Sequence, residues 1–245
     1  MALIKNANPK GDIKDSSYYR LCGNERIANI LQKSQSTVIS NGTELEHEIK
    51  KECPYTVYET QWTNISPKTG NIIKSRFKIK GSTPTLSTIF EKFNNGENCY
   101  FPKIKISKEE LKSHGVTLSS KKNIELDGVW ITNGHIYITE IKDGDNFDTK
   151  KSDGEIKMFK MLEKLFKNYP YTINMIPWNL KNIDNHSVKS DEGGEYITTG
   201  KLFSDKVGLD YNTICENRKK DRTENVKWLI EEMRKVVQEY DETHN

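Results

Sequence analysis

A chain of 245 residues with 34% hydrophobic and 30% charged side chains has enough apolar surface for one sizeable core and too much for a disordered protein. Its 38 basic and 35 acidic residues leave a net charge of +3, so any polyanion-binding surface must come from clustered positives rather than from their number. Cys22, Cys53, Cys99 and Cys215 stand singly, which argues against a zinc ribbon or a disulfide framework and suits reduced thiols in the cytoplasm; no segment has the layout of a signal peptide or the apolar length of a membrane span.

Helical spacing runs over 15–33 (Tyr18, Leu21, Ile27, Ile30, Leu31). A second helix is expected after Asn41-Gly42, with Thr43 as its N-cap, Glu46 completing a capping box, and Pro54 stopping it near Lys51. Residues 55–62 are rich in aromatic and β-branched side chains and read as a strand; 66–70 read as a turn. Residues 71–80 alternate, with Ile73, Phe77 and Ile79 on one side and Lys74, Arg76, Lys78 and Lys80 on the other. Short helices are expected over 85–93 and after Ser107, where Glu110 has capping-box spacing.

The clearest local signal follows. Segments 123–132 and 135–142 flank Asn133-Gly134, and both residues of that pair tolerate the positive φ of a tight hairpin turn. An amphipathic helix over 152–168 carries Ile156, Phe159, Leu162 and Phe166, and Pro170 closes it. Residues 171–178 return as a strand, which the helix delivers parallel to its neighbour. Residues 180–220 are polar and give no assignment; 223–240 have a helical apolar stripe through Val226, Leu229, Ile230, Met233, Val236, Val237 and Tyr240, which suits a core or packing helix before a dimer zipper. The chain therefore reads as one α/β domain over 1–245, a mixed sheet with packed helices, its core about 43–178 and its C-terminal extension 179–245.

The hairpin carries the chemistry. With a two-residue turn at 133–134, Asp127 falls opposite Glu140, and Lys142 shares the face of Glu140. Opposed like charges destabilise a bare hairpin. A hard divalent cation such as Mg²⁺ would compensate them, taking Asp127, Glu140, a backbone carbonyl, water and phosphate oxygens. Lysine beside such a cation orients water or neutralises charge developing on a phosphate. The same three charges also suit an ordinary cross-strand ion cluster.

Asp127, then Glu140-Ile141-Lys142, on a hairpin followed by a helix and a strand, resembles the D…(D/E)xK motif of the PD-(D/E)xK nuclease superfamily, and within it type II restriction endonucleases. The proline that precedes the aspartate in the motif is replaced by Leu126. The resemblance implies a restriction-endonuclease-like fold, a mixed β-sheet flanked by α-helices. It implies a Mg²⁺-dependent, site-specific cleavage of double-stranded DNA by a homodimer, with Asp127, Glu140 and the Ile141 carbonyl on the metal and Lys142 assisting. Glu46, in Gly42-Thr-Glu-Leu-Glu46, matches the auxiliary acid that an early helix supplies in the family.

Around this centre, several features have two readings. Lys74, Arg76, Lys78 and Lys80 suit DNA contact by a β-ribbon, or an edge strand protected by lysines. Lys150 and Lys151 suit phosphate contact or neutralisation of the acidic loop before them. Glu155 suits either an extra catalytic acid or a capping box with Ser152. The loop Asp143–Asp148 lacks the glycine and final glutamate of an EF-hand. The alternatives to a restriction enzyme are another nuclease of the superfamily acting in repair, on junctions or on RNA, and a non-catalytic DNA-binding protein on the same scaffold.

Overall fold

The computed structural model describes residues 3–9, 11–58, 62–65, 72–78, 84–116, 124–144, 149–185, 193–219 and 222–244. In chain order its main elements are α1 (Ser17–Cys22), α2 (Glu25–Glu52), β1 (Thr56–Val57), β2 (Trp62–Ile65), β3 (Ile72–Lys78), α3 (Leu86–Asn94), β4 (Cys99–Ile106), α4 (Lys108–Ser113), β5 (Ile124–Thr132), β6 (His135–Lys142), α5 (Thr149–Phe166), β7 (Tyr171–Pro177), α6 (Gly200–Val207), α7 (Tyr211–Lys219) and α8 (Arg222–His244). They divide into two compact units. Cys53–Leu209 form one; Met1–Glu52 and Asp210–Asn245 together form the other.

The Cys53–Leu209 unit is built on a five-stranded sheet of order β1-β4-β5-β6-β7, while β2 and β3 make a separate antiparallel ribbon. The expected hairpin is present: Asn133 and Gly134 adopt φ of 52° and 67°, and Thr132 pairs with His135. β6 and β7 are parallel, as the crossover through α5 requires. The sheet is therefore mixed, with helices packed on it, in agreement with the expected α/β class. β4 is a strand that the sequence hides, because Pro102 cannot donate to a ladder and reads as a strand breaker. The chain accommodates it with a local irregularity, in which Lys103 has φ of 53° and drops out of the β4–β5 pairing.

One face of the sheet presents Val129, Ile131, Ile136 and Ile138 to Ile156, Phe159, Leu162 and Phe166 of α5 and to Leu86, Ile89 and Phe90 of α3, all buried. Each such side chain contributes about 1.5–3 kcal/mol of burial, which explains why the apolar stripe of α5 was legible. On the other side Tyr100 and Trp130 stack at 3.8 Å, and Phe203 of α6 meets the indole edge-on at 5.8 Å. Glu110 completes the expected capping box with Ser107 and also accepts from the N–H of Leu86 at 2.9 Å, tying α4 to the start of α3.

Two expected helix starts are corrected. No second helix begins at Thr43: α2 runs unbroken for 28 residues through Asn41-Gly42. The buried Leu45 and Ile49 continue its apolar side, and that packing outweighs the cost of an interior glycine, about 1 kcal/mol. Likewise α5 begins at Thr149, so residues 152–155 lie inside a helix and not at its start, where a capping box belongs. The unassigned polar stretch contains α6, capped by Thr199, whose hydroxyl accepts from Leu202 at 3.1 Å, and α7, where Asp210 accepts from the N–H of Thr213 at 2.9 Å.

The sheet forks. β4 follows β5 down to the pair Ile106–Ile124, and β7 follows β6 to Lys142–Pro177, but the β5–β6 ladder ends at Gly128–Thr139. Beyond that pair the two central strands part, each staying with its outer neighbour. Asp127 is the first residue of β5 in the fork, and Glu140 the first of β6.

Candidate active site at the fork of the sheet

The parting strands leave backbone groups without ladder partners, and side chains take them up. Asp127 Oδ2 accepts the N–H of Ile141 at 2.8 Å, which replaces a strand-to-strand bond with a carboxylate. Glu140 and Lys142 project from the same face of β6, two residues apart. The Lys142 ammonium donates to Glu140 Oε1. It also lies 3.9 Å from Asp127 Oδ2 and 4.0 Å from Glu155 Oε1. The Lys142 ammonium thus faces three carboxylates drawn from β5, β6 and α5 among the described residues.

The surroundings make that imbalance matter. Glu140 is 8% exposed. Burial, then the neighbouring charge of Asp127, push its carboxyl up to about 7, although Lys142 opposes them and Glu155 adds to them. Burial pulls the Lys142 ammonium down, but Glu140, Asp127 and Glu155 together outweigh it and hold the group above the ordinary lysine value. Lysine therefore remains a cation at neutral pH, and the glutamate stands near its titration point.

The fork is braced on both sides. Thr139 Oγ1 donates to the carbonyl of Gly128 at 3.0 Å, closing the last paired position. A Cβ on Gly128 would lie 2.7 Å from Tyr100 Cε2 and 3.0 Å from Thr139 Oγ1, so only glycine fits between the acid and the Tyr100–Trp130 stack. After β6, Trp178 N–H donates to the Lys142 carbonyl at 2.9 Å, and Asn179 N–H to that of Gly144 at 2.8 Å. Neither Gly128 nor Tyr100 is singled out by residue type; the signal, had it been used, was glycine directly after the acid inside a strand.

The structure therefore brings Asp127, Glu140 and Lys142 together as expected, and adds Glu155. The helix-cap explanation of Glu155 falls with the start of α5 at Thr149. Glu46 stands on α2 in the helical unit, within an unbroken helix. Lys74, Arg76 and Lys78 stand on β3 of the separate ribbon, and Lys150 and Lys151 in the first turns of α5; Lys80 lies outside the described residues. Among the described residues, no three histidine, cysteine or acidic side chains are already gathered as a metal-binding group. No described helix is long and apolar enough to cross a membrane.

The mixed five-stranded sheet flanked by helices is consistent with an α/β restriction-endonuclease-like fold. Over 244 residues, 96% of this chain and 95% of the relative, the sequence is 29% identical to the type II restriction enzyme HhaII of Haemophilus parahaemolyticus. No family profile matches the chain. No solved structure matches it.

Proposed function

We propose that this protein is a type II restriction enzyme: a Mg²⁺-dependent, site-specific endonuclease of the PD-(D/E)xK kind that cleaves double-stranded DNA as a homodimer. The observation that carries the reading is the gathering of Lys142 with the carboxylates of Asp127, Glu140 and Glu155 at the fork. The full-length likeness to a type II restriction enzyme supports it.

The donor set fits a hard divalent cation. Among the described residues the fork gathers three acids around Lys142, and burial, then the charge of Asp127, raise the Glu140 carboxyl. Asp127, Glu140 and the Ile141 carbonyl are the groups that would hold Mg²⁺, with the remaining positions left to water and phosphate oxygen. When bound, the ion supplies charge neutralisation at the phosphate and a more acidic water.

The chain's own residues do the rest. Asp127 fixes the Ile141 backbone through its hydrogen bond and so sets the height of β6 in the fork. Lys142, held as a cation, donates to the attacking water or to a phosphate oxygen as negative charge builds there. Glu155 keeps that ammonium charged and limits its swing. Lys74, Arg76, Lys78 and Lys80 are assigned to DNA contact, as are Lys150 and Lys151; phosphate contacts set register, and Arg76 is the side chain suited to bidentate contact with guanine.

The test is cleavage of phage DNA with Mg²⁺ and with EDTA, followed by sequencing of the ends. Discrete fragments sharing one terminal sequence, seen only with Mg²⁺, are expected. Absence of cutting with Mg²⁺, or cutting that follows DNA structure rather than sequence, would sink the restriction reading.

A further inference from the structure

The apolar stripe of α8 is wider than its own unit covers. Its inward side holds Leu229 and Val236, half-buried, together with polar contacts: Asn225 accepts the N–H of Ile4 at 2.8 Å, and Glu232 and Glu239 hold the Arg26 guanidinium at 3.0 and 2.5 Å. Trp228 on that side lies beneath the Lys33 ammonium, 5.7 Å from the ring centre. The adjoining outward flank carries Val226, Ile230, Met233, Val237 and Tyr240, from 46% to 61% exposed. A helix that merely covers its own unit leaves no such second apolar row in solvent.

The spacing says what the outward side is for. Those five residues follow one another at intervals of four, three, four and three. That is the period of 3.5 by which two helices keep one seam in contact along their length. Lys227, Arg234 and Asp241 stand one heptad apart along the edge of the seam. In a parallel copy this edge would face the other edge of the partner seam, Leu229 and Val236, and neither charge would meet an opposite one. An antiparallel copy sets Lys227 of each chain against Asp241 of the other. Within one chain Lys227 meets the exposed Glu224 at 3.0 Å, a bridge that contributes little.

We propose that the outward seam of α8 packs antiparallel on the same seam of a second copy of this chain, about a two-fold axis near Arg234. The contact is isologous and closes at two subunits. It gives the homodimer of the proposed function a surface and an orientation, yet rests on α8 alone, so a chain without nuclease activity would pair in the same way.

Sedimentation equilibrium of the full chain at micromolar concentration tests it, on wild type and on the Glu140→Gln variant, so that a failed nuclease reading leaves the association readout intact. Both are expected to be dimers. The double variant Ile230→Glu/Val237→Glu should raise the dimer dissociation constant by about tenfold or more, with an unchanged far-UV spectrum. Lys227→Glu and Asp241→Lys should each weaken the dimer, and the two together restore it; this pair carries the test if the double glutamate variant fails to fold. A monomeric wild type, or a dimer that survives the glutamate pair, overturns the proposal. Charge reversals that do not compensate one another overturn the antiparallel arrangement.

Discussion

Asp127 Oδ2 accepts the backbone N–H of Ile141 at 2.8 Å, across the point where β5 and β6 part. One carboxylate thus does a strand's work with one oxygen and leaves the other for chemistry. The two duties separate by substitution. Asp127→Asn keeps an acceptor and loses the charge; its thermal midpoint should stay near wild type while cleavage falls by about a hundredfold or more. Asp127→Ala also strands the Ile141 N–H, and should lose about 1–3 kcal/mol of stability besides. Equal melting of the two variants would show that the hydrogen bond carries no structural weight.

In the proposed function, Glu140 would tie Mg²⁺ binding to pH. Its folded carboxyl sits at about 7, above the ordinary 4.5. The folded state therefore binds the extra proton between those values, and this group's contribution to stability is present below pH 4.5 and lost as pH rises towards 7. Mg²⁺ affinity should run the opposite way, climbing by about tenfold per pH unit below 7 as the ion displaces that proton, then levelling. Calorimetry across this range checks both trends. An affinity independent of pH would count against Glu140 as a ligand.

For Lys142 the discriminating change is to methionine, which keeps the stem and removes the charge. With its own value raised by Glu140, Asp127 and Glu155 against the pull of burial, the ammonium stabilises these acids as well as any developing charge. Lys142→Met should reduce the single-turnover cleavage rate by about a hundred- to a thousandfold while DNA affinity changes little. Retained cutting would remove lysine from the site.

Glu155 acts on Lys142 from 4.0 Å. Glu155→Gln should reduce cleavage less than any change at Asp127 or Glu140, and should lower the pH at which Lys142 releases its proton, read by NMR of the labelled ammonium. A Lys142 titration identical to wild type would leave Glu155 a bystander.

Gly128→Ala tests the brace. With the new methyl 2.7 Å from Tyr100 Cε2, the Tyr100–Trp130 stack must move, at about 1–3 kcal/mol. The thermal midpoint should fall by roughly 2–4 °C per kcal/mol. Tyr100→Leu in the same chain should recover part of that loss, which differential scanning calorimetry can measure.

The hairpin, its register and the α5 crossover were legible because each rests on local rules: Asn133-Gly134 for the turn, alternation for the strands, and the Ile156, Phe159, Leu162, Phe166 stripe for the helix. The hydrogen-bonded box at Ser107 and Glu110 was legible for the same reason. What was not legible depends on partners far along the chain. Pro102 and Lys103 disguise β4, which is recognisable only from β5 beside it. Asn41-Gly42 imitates a break in α2, and only Leu45 and Ile49 carrying the stripe onward contradict it. Ser152 and Glu155 imitate a cap, whereas the helix starts earlier and frees Glu155 to reach Lys142. The fork itself arises from competition between two pairs of strands, and no single segment encodes that.

The division of the chain has a temporal consequence. Residues of the helical unit come from both ends, Met1–Glu52 and Asp210–Asn245, with the entire sheet between them in the chain. During synthesis α2 emerges before the sheet, whereas α7 and α8, which pack on it, emerge only after the sheet. The sheet and its fork can fold while α2 still waits. The proposed self-association through α8 then becomes possible only after the sheet has been made, so pairing would follow the folding of the fork.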